Sequence, residues 1–138
     1  MNTLVVIDDS EPDRYLVRRV LGRAKPDVHF VEYTSAVEAL DVFLEEDDFD
    51  GVVGTTPPPA LVFLDINMPQ MNGFEFLDRI KESASRKKCF VVVMFSSSNN
   101  PDDRQRASEF DFVADYMVKP ITTAKLLAVS EREEFKLS

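Results

Sequence analysis

Ala60-Leu61-Val62-Phe63-Leu64-Asp65-Ile66-Asn67-Met68-Pro69-Gln70-Met71-Asn72-Gly73 is the stretch on which the architecture turns. An unbroken apolar run meets a carboxylate, a proline turn follows, and a glycine opens the next segment. Such a run is the pattern of a strand buried on both faces, as in a parallel sheet. In open α/β sheets ligands bind beyond the carboxyl ends of the strands, which puts Asp65 in a functional position. A turn-capping carboxylate is the plainer alternative, and the flanking segments decide between the two.

Upstream, Thr3 to Ile7 is a second apolar run, and it ends in Asp8 and Asp9. Ser10 is placed as an N-cap, with Asp13 three residues on and Pro12 tolerated in the first turn. Val17, Val20, Leu21 and Ala24 then line one face of a helix. Lys25-Pro26-Asp27 breaks it, and Val28 to Tyr33 predicts a strand that opens near the only histidine, His29, at the surface or half-buried. Ser35 with Glu38 caps a second helix, whose inner stripe is Ala36, Ala39, Leu40, Phe43 and Leu44. Glu45 to Pro59 turns from acidic to Gly-, Thr- and Pro-rich, which predicts an inserted surface loop.

Downstream, a helix from Gly73 turns Phe76, Leu77 and Ile80 inward and is predicted to end around 84–88. Cys89 to Phe95 predicts a fourth strand, closed by Ser96-Ser97-Ser98, with Cys89 as a small buried thiol. Asn100 caps a fourth helix with Pro101 at its first position. Asp115 to Val118 predicts a short fifth strand ending in Lys119-Pro120. The last helix is predicted from Thr123 to Phe135, with a weak apolar face that includes Leu126 and Leu127 as core edge or dimer surface.

Strands joined by single helices require a parallel sheet with right-handed crossovers. Five strands and five helices predict an α/β, doubly wound, flavodoxin-like sheet of order 2-1-3-4-5, with its switch point between the first and third strands. Those two strands end in Asp8-Asp9 and Asp65.

The 138 residues suffice for one domain over 1–138 with a real core. No output module is expected after the last helix. No secretory leader and no apolar run of the ~18 residues needed to span a bilayer occurs, and a single cysteine excludes an internal disulfide, so a cytoplasmic location is expected. A formal net charge of −9 argues against unassisted binding of nucleic acid.

The predicted topology gathers Asp8, Asp9, Asp65, Ser96 and Lys119 at one sheet edge. Clustered carboxylates raise one another's pKa unless a cation joins them. An all-oxygen site with few protein ligands suits Mg²⁺ shared with a phosphate. A carboxylate can attack phosphorus to give an aspartyl-phosphate, while a metal, the Lys119 ammonium and the Ser96 hydroxyl meet the developing charge.

Ile7-Asp8-Asp9-Ser10, Phe63 to Pro69 with Gly73, Phe95-Ser96-Ser97 and Tyr116-Met117-Val118-Lys119-Pro120 together resemble the receiver domain of two-component response regulators. The likeness covers nearly the whole chain. It implies Asp65 as phosphoacceptor, with Mg²⁺ held by Asp9, Asp65 and the backbone carbonyl of Asn67, and by Asp8 through a water. It implies Lys119 paired to the phosphoryl group, a cis Lys119–Pro120 bond, and Ser96 and Tyr116 as the switch pair. A histidine kinase or phosphotransfer protein would supply the phosphoryl group. The enzymatic activity implied is confined to self-phosphorylation and slow autodephosphorylation. The signal would leave through the face of the fourth helix, fifth strand and fifth helix, by homodimerising or docking a target, without nucleic acid or membrane.

Ser96 stands where the family more often has Thr, keeping the hydroxyl without its methyl. A degenerate receiver serving as a phosphorylation-independent binding module is the alternative, and the complete residue set counts against it. A haloacid-dehalogenase-like phosphatase would need an Asp at position 67, where Asn67 stands, and no P-loop motif is present.

Overall fold

The apolar runs form five parallel strands: β1 (Thr3–Ile7), β2 (His29–Tyr33), β3 (Ala60–Leu64), β4 (Phe90–Ser96) and β5 (Val113–Val118). They belong to a computed structural model that describes residues 1–53, 58–82 and 90–132. The strand order is β2-β1-β3-β4-β5, parallel at every step. The connecting helices are α1 (Glu11–Ala24), α2 (Ala36–Leu44), α3 (Glu46–Val53), α4 (Gly73–Lys81), α5 (Pro101–Ser108) and α6 (Thr123–Ser130).

Side chains alternate across a strand, so each central strand feeds two cores. Val5, Ile7, Val62, Leu64, Val92 and Met94 point to the layer that holds Phe43 of α2 and Leu77 of α4. Leu4, Val6, Leu61, Phe63, Val93 and Phe95 point to the other layer, against Val17 and Leu21 of α1 and Leu126 and Val129 of α6. β1 and β3 are buried along their whole length, as double coverage requires. The edge strand β2 instead carries exposed His29 and half-buried Glu32.

The expectation of an open loop over Glu45 to Pro59 is corrected by α3, which brings the helices among the described residues to six. Its anchor is Phe49, 1% exposed. The Phe49 ring lies edge-on to Phe43 at 5.1 Å and to Phe90 at 5.5 Å. The Phe49 N–H donates to the Glu45 carbonyl at 2.9 Å. One aromatic with a core pocket outweighs the acidic, helix-indifferent composition around it. Residues 54–57 lie outside the described residues, while buried Pro58 and half-buried Pro59 lead into β3.

Further boundaries differ, among them three with a structural reason or an end at the described residues. β5 begins at Val113, because a register irregularity between Val92 and Val93 lets Val113 pair with Val92 ahead of the regular ladder. α4 ends at Lys81, and the predicted continuation to 84–88 lies outside the described residues, as does Cys89. α6 ends at Ser130, where the Glu131 N–H closes on the Leu127 carbonyl at 3.0 Å; the continuation from 133 lies outside the described residues. Leu126 of α6 is core and Leu127 is half-buried. Among the described residues no helix is long and apolar enough to cross a membrane.

Truncating Phe49 to Ala should lower the unfolding free energy by about 3 kcal/mol, the usual cost of emptying a buried aromatic position. Urea denaturation monitored by circular dichroism checks this. An unchanged midpoint would show that α3 is not part of the cooperative core.

Candidate functional site

The sheet ladder itself carries the carboxylates to the edge. The Asp8 N–H donates to the Tyr33 carbonyl at 3.1 Å, and the Asp65 N–H donates to the Ile7 carbonyl at 3.0 Å. Each aspartate is therefore the first residue beyond its strand and still on the hydrogen-bond lattice. The Lys119 N–H likewise donates to the Ser96 carbonyl at 2.8 Å, fixing the start of the lysine side chain beside β4. The Lys119–Pro120 peptide bond is cis.

The turn from Asp65 into α4 uses two special backbone positions. Gln70 is left-handed at φ 70°, a conformation that costs a non-glycine residue roughly 1–2 kcal/mol. Gly73 lies so close that a Cβ there would fall on the Asp65 carbonyl oxygen. Its N–H donates to the Ile66 carbonyl at 2.9 Å, tying the N-terminus of α4 to the segment that follows Asp65. Asn72 and Glu75 close a reciprocal capping box at that terminus.

Lys119 Nζ sits among three carboxylates, 2.7 Å from Asp8 Oδ2, 2.9 Å from Asp13 Oδ2 and 3.6 Å from Asp65 Oδ1. Asp8 is 1% and Asp65 6% exposed, whereas Asp9 is exposed. One carboxylate oxygen from each of Asp8, Asp9 and Asp65 lies within 4.8 Å of the other two. Burial, then the Asp8 charge, pushes the Asp65 carboxyl up to about 6 against the opposing pull of Lys119 and the Ile66 N–H. Burial alone would lower the Lys119 ammonium, yet the Asp8 and Asp13 carboxylates beside it hold it above the ordinary lysine value. Burial of Asp13 acts upward but is outweighed by its hydrogen bond to Lys119, so its carboxyl lies below the usual range.

The contact between Lys119 and Asp8 Oδ2 is one of charge without hydrogen-bond alignment, and among the described residues that buried oxygen has no aligned donor. Its partner Oδ1 accepts from the Ser10 N–H at 2.9 Å. A buried carboxylate oxygen met by charge but by no aligned hydrogen bond, beside two further carboxylates, fits a hard divalent cation.

Ser96, fully buried at the end of β4, accepts the Ser98 N–H on its Oγ at 3.1 Å. The Tyr116 hydroxyl donates to the Ser98 carbonyl at 2.7 Å, and the Arg104 guanidinium stacks 4.7 Å from the Tyr116 ring centroid. One residue, Ser98, thus links the Ser96 hydroxyl to the Tyr116 phenol. Asn67 follows Asp65 on an exposed loop.

Of the residues singled out in the sequence, Asp8, Asp9, Asp65 and Lys119 converge directly, and Ser96 and Tyr116 meet through Ser98. Three contributors escaped that reading. Asp13 passed for a helix-start carboxylate because an acidic first turn is the norm. Arg14, buried in α1, donates to the Asp8 carbonyl at 2.8 Å and to Glu32 Oε1 at 2.9 Å, bracing the Asp8 backbone. Ser98 sat in a serine run with no local signal. An Arg placed in the buried stripe of a helix was the one available clue, since a buried guanidinium requires acceptors.

The family model described as "Response regulator receiver domain" matches residues 4–131. The two-component response regulator ORR7 of Oryza sativa subsp. japonica is 31% identical over 129 residues, which is 94% of this chain and 55% of that protein. The chain thus spans about half the length of that relative. The crystal structure of a two component response regulator from Cytophaga hutchinsonii is 26% identical with a TM-score of 0.75, covering 92% of each chain. The Mn(2+)-bound form of response regulator Rcp1 is 25% identical with a TM-score of 0.71, covering 94% of this chain and 88% of that one.

The raised Asp65 carboxyl makes a pH-dependent prediction for the metal-free protein. A folded pKa of about 6 against an ordinary 3.8 means stability present below 3.8 and lost as pH rises through 6. The full loss is at most roughly 3 kcal/mol. Asp65→Asn should therefore be more stable than wild type at pH 7 in a chelator, and the gap should close as the pH falls toward 4. Paired urea titrations at both ends of that window measure it; a gap that does not narrow would remove the buried charge as its source.

Proposed function

The chain belongs to the response regulator receiver domain family, and we propose that it is a phosphoryl-accepting switch whose acceptor is Asp65. The observation that carries this reading is the Asp65 carboxylate 3.6 Å from the Lys119 ammonium, within a set of three carboxylates whose oxygens lie 4.8 Å or less apart.

In the proposed step an Asp65 carboxylate oxygen attacks the phosphorus of a phosphohistidine on a histidine kinase or phosphotransfer protein. A P–O bond forms as the P–N bond breaks, and the imidazole keeps the electron pair and takes a proton. Lys119 neutralises charge on the phosphoryl oxygens, and the Ser96 hydroxyl donates a hydrogen bond to one of them. Asp9, Asp65 and the Asn67 carbonyl would hold Mg²⁺, with Asp8 acting through a water. Bound there, Mg²⁺ supplies Lewis-acid charge neutralisation and offsets carboxylate repulsion. Later attack by water on the phosphorus breaks the Asp65 O–P bond, releases inorganic phosphate and restores the Asp65 carboxylate.

The modification adds roughly two negative charges beside Lys119. The switch follows from the Ser98 link: a Ser96 hydroxyl turned toward the phosphoryl group releases the Ser98 N–H, on whose carbonyl Tyr116 depends. The α5–β5–α6 face is then remodelled, and the signal leaves by homodimerising or docking a protein target in the cytoplasm. Two shallow concavities flank β5 on that face, one lined by Arg104, Ala107 and Tyr116 and the other by Met117, Lys125 and Val129.

Incubation with Mg²⁺ and acetyl phosphate, followed by intact mass and size-exclusion elution, tests the reading. A metal-dependent adduct absent from Asp65→Asn is expected. Folded wild type that forms no adduct with metal present would overturn it in favour of a phosphorylation-independent binding module.

A further inference from the structure

We infer that Asp13 is a positioning residue that competes with the phosphoryl group for Lys119, and so sets how readily the unmodified protein is charged; this rests on Asp65 being the phosphoacceptor. The Lys119 ammonium lies 2.9 Å from Asp13 but 3.6 Å from Asp65. It is thus held nearer a carboxylate of α1 than the acceptor it is to assist. The Asp13 contact is an aligned hydrogen bond, which the closer Asp8 contact is not.

The position of Asp13 is built in. Its N–H donates to the Ser10 Oγ at 3.4 Å as the N-cap bond of α1, and the Ser10 N–H donates to Asp8 Oδ1 at 2.9 Å. Asp8, Ser10, Asp13 and Lys119 therefore close a ring around the ammonium, with Asp65 outside it. An ammonium has three donors. A doubly charged phosphoryl group on Asp65 would claim at least one, and the aligned Asp13 bond is the one in its way. The side chain of Asp13 is 36% exposed, so a released carboxylate returns to water at small cost. Asp8 has no such exit, its side chain being 2% exposed.

The test is the affinity for beryllofluoride with Mg²⁺, read by fluorescence or calorimetry, in wild type, Asp13→Asn and Glu11→Gln. Glu11 is an exposed carboxylate in the same helical turn and controls for charge alone. Asp13→Asn should bind about three- to fivefold more tightly, the scale of one half-exposed ion pair, and Glu11→Gln should stay close to wild type. A second readout needs no phosphoryl mimic: urea midpoints of metal-free Asp13→Asn, Lys119→Met and the double variant should be non-additive. Unchanged or weaker binding by Asp13→Asn, an equal gain in Glu11→Gln, or additive midpoints overturns the inference alone. A wild type that binds no mimic at all overturns the phosphoacceptor reading, and this inference with it.

Discussion

The Lys119 ammonium, 2.7 Å from Asp8 and 3.6 Å from Asp65, is the interaction on which the functional edge of the sheet depends. Two carboxylates buried to this degree repel each other and lose hydration. Without a cation between them, one would stay protonated or the strand ends would part. The lysine reaches them from β5, on the far side of β4, because its own N–H is bonded to the Ser96 carbonyl. Charge balance and sheet order are thereby linked: parallel pairing of β1, β3, β4 and β5 is what brings the three chemistries to one edge.

That balance is incomplete. Asp65 stays high, at about 6, even with Lys119 in place, and among the described residues one buried oxygen of Asp8 has no aligned donor. An edge built only for stability would satisfy these groups. Local unfavourable electrostatics of this kind suits a site for a cation, because binding then supplies the positive charge that the free protein lacks. The remainder of the fold tolerates it through two apolar layers packed on a sheet whose central strands are almost wholly covered.

The link from the buried edge to the surface runs through few atoms. Ser96, Ser98 and Tyr116 are joined by one bond to the N–H and one to the carbonyl of the middle residue. Arg104 holds the aromatic ring from α5. A change at Ser96 therefore has a defined mechanical route to the α5–β5–α6 face. Elsewhere in the fold, α3 shows how little sequence an element needs: a single Phe49 seated among Phe43 and Phe90 converts an acidic insertion into part of the core.

The strands, their parallel order and the residues at their ends were legible along the chain, because apolar runs, capping residues and chain punctuation are local and right-handed crossovers leave few topologies. Asp8, Asp9, Asp65, Ser96 and Lys119 each stand at a strand end, so knowing the strands was enough to group them. What needed the folded chain were the contacts between residues distant in sequence. Asp13 meets Lys119 across 106 positions, Ser98 joins Ser96 to Tyr116 by its backbone, and Phe49 finds a pocket made by two other elements. Nothing in the local pattern marks these residues, since an acidic first turn, a serine run and an isolated phenylalanine are each ordinary. Their roles arise only from packing geometry, which pairs side chains by distance in space and is blind to distance along the chain.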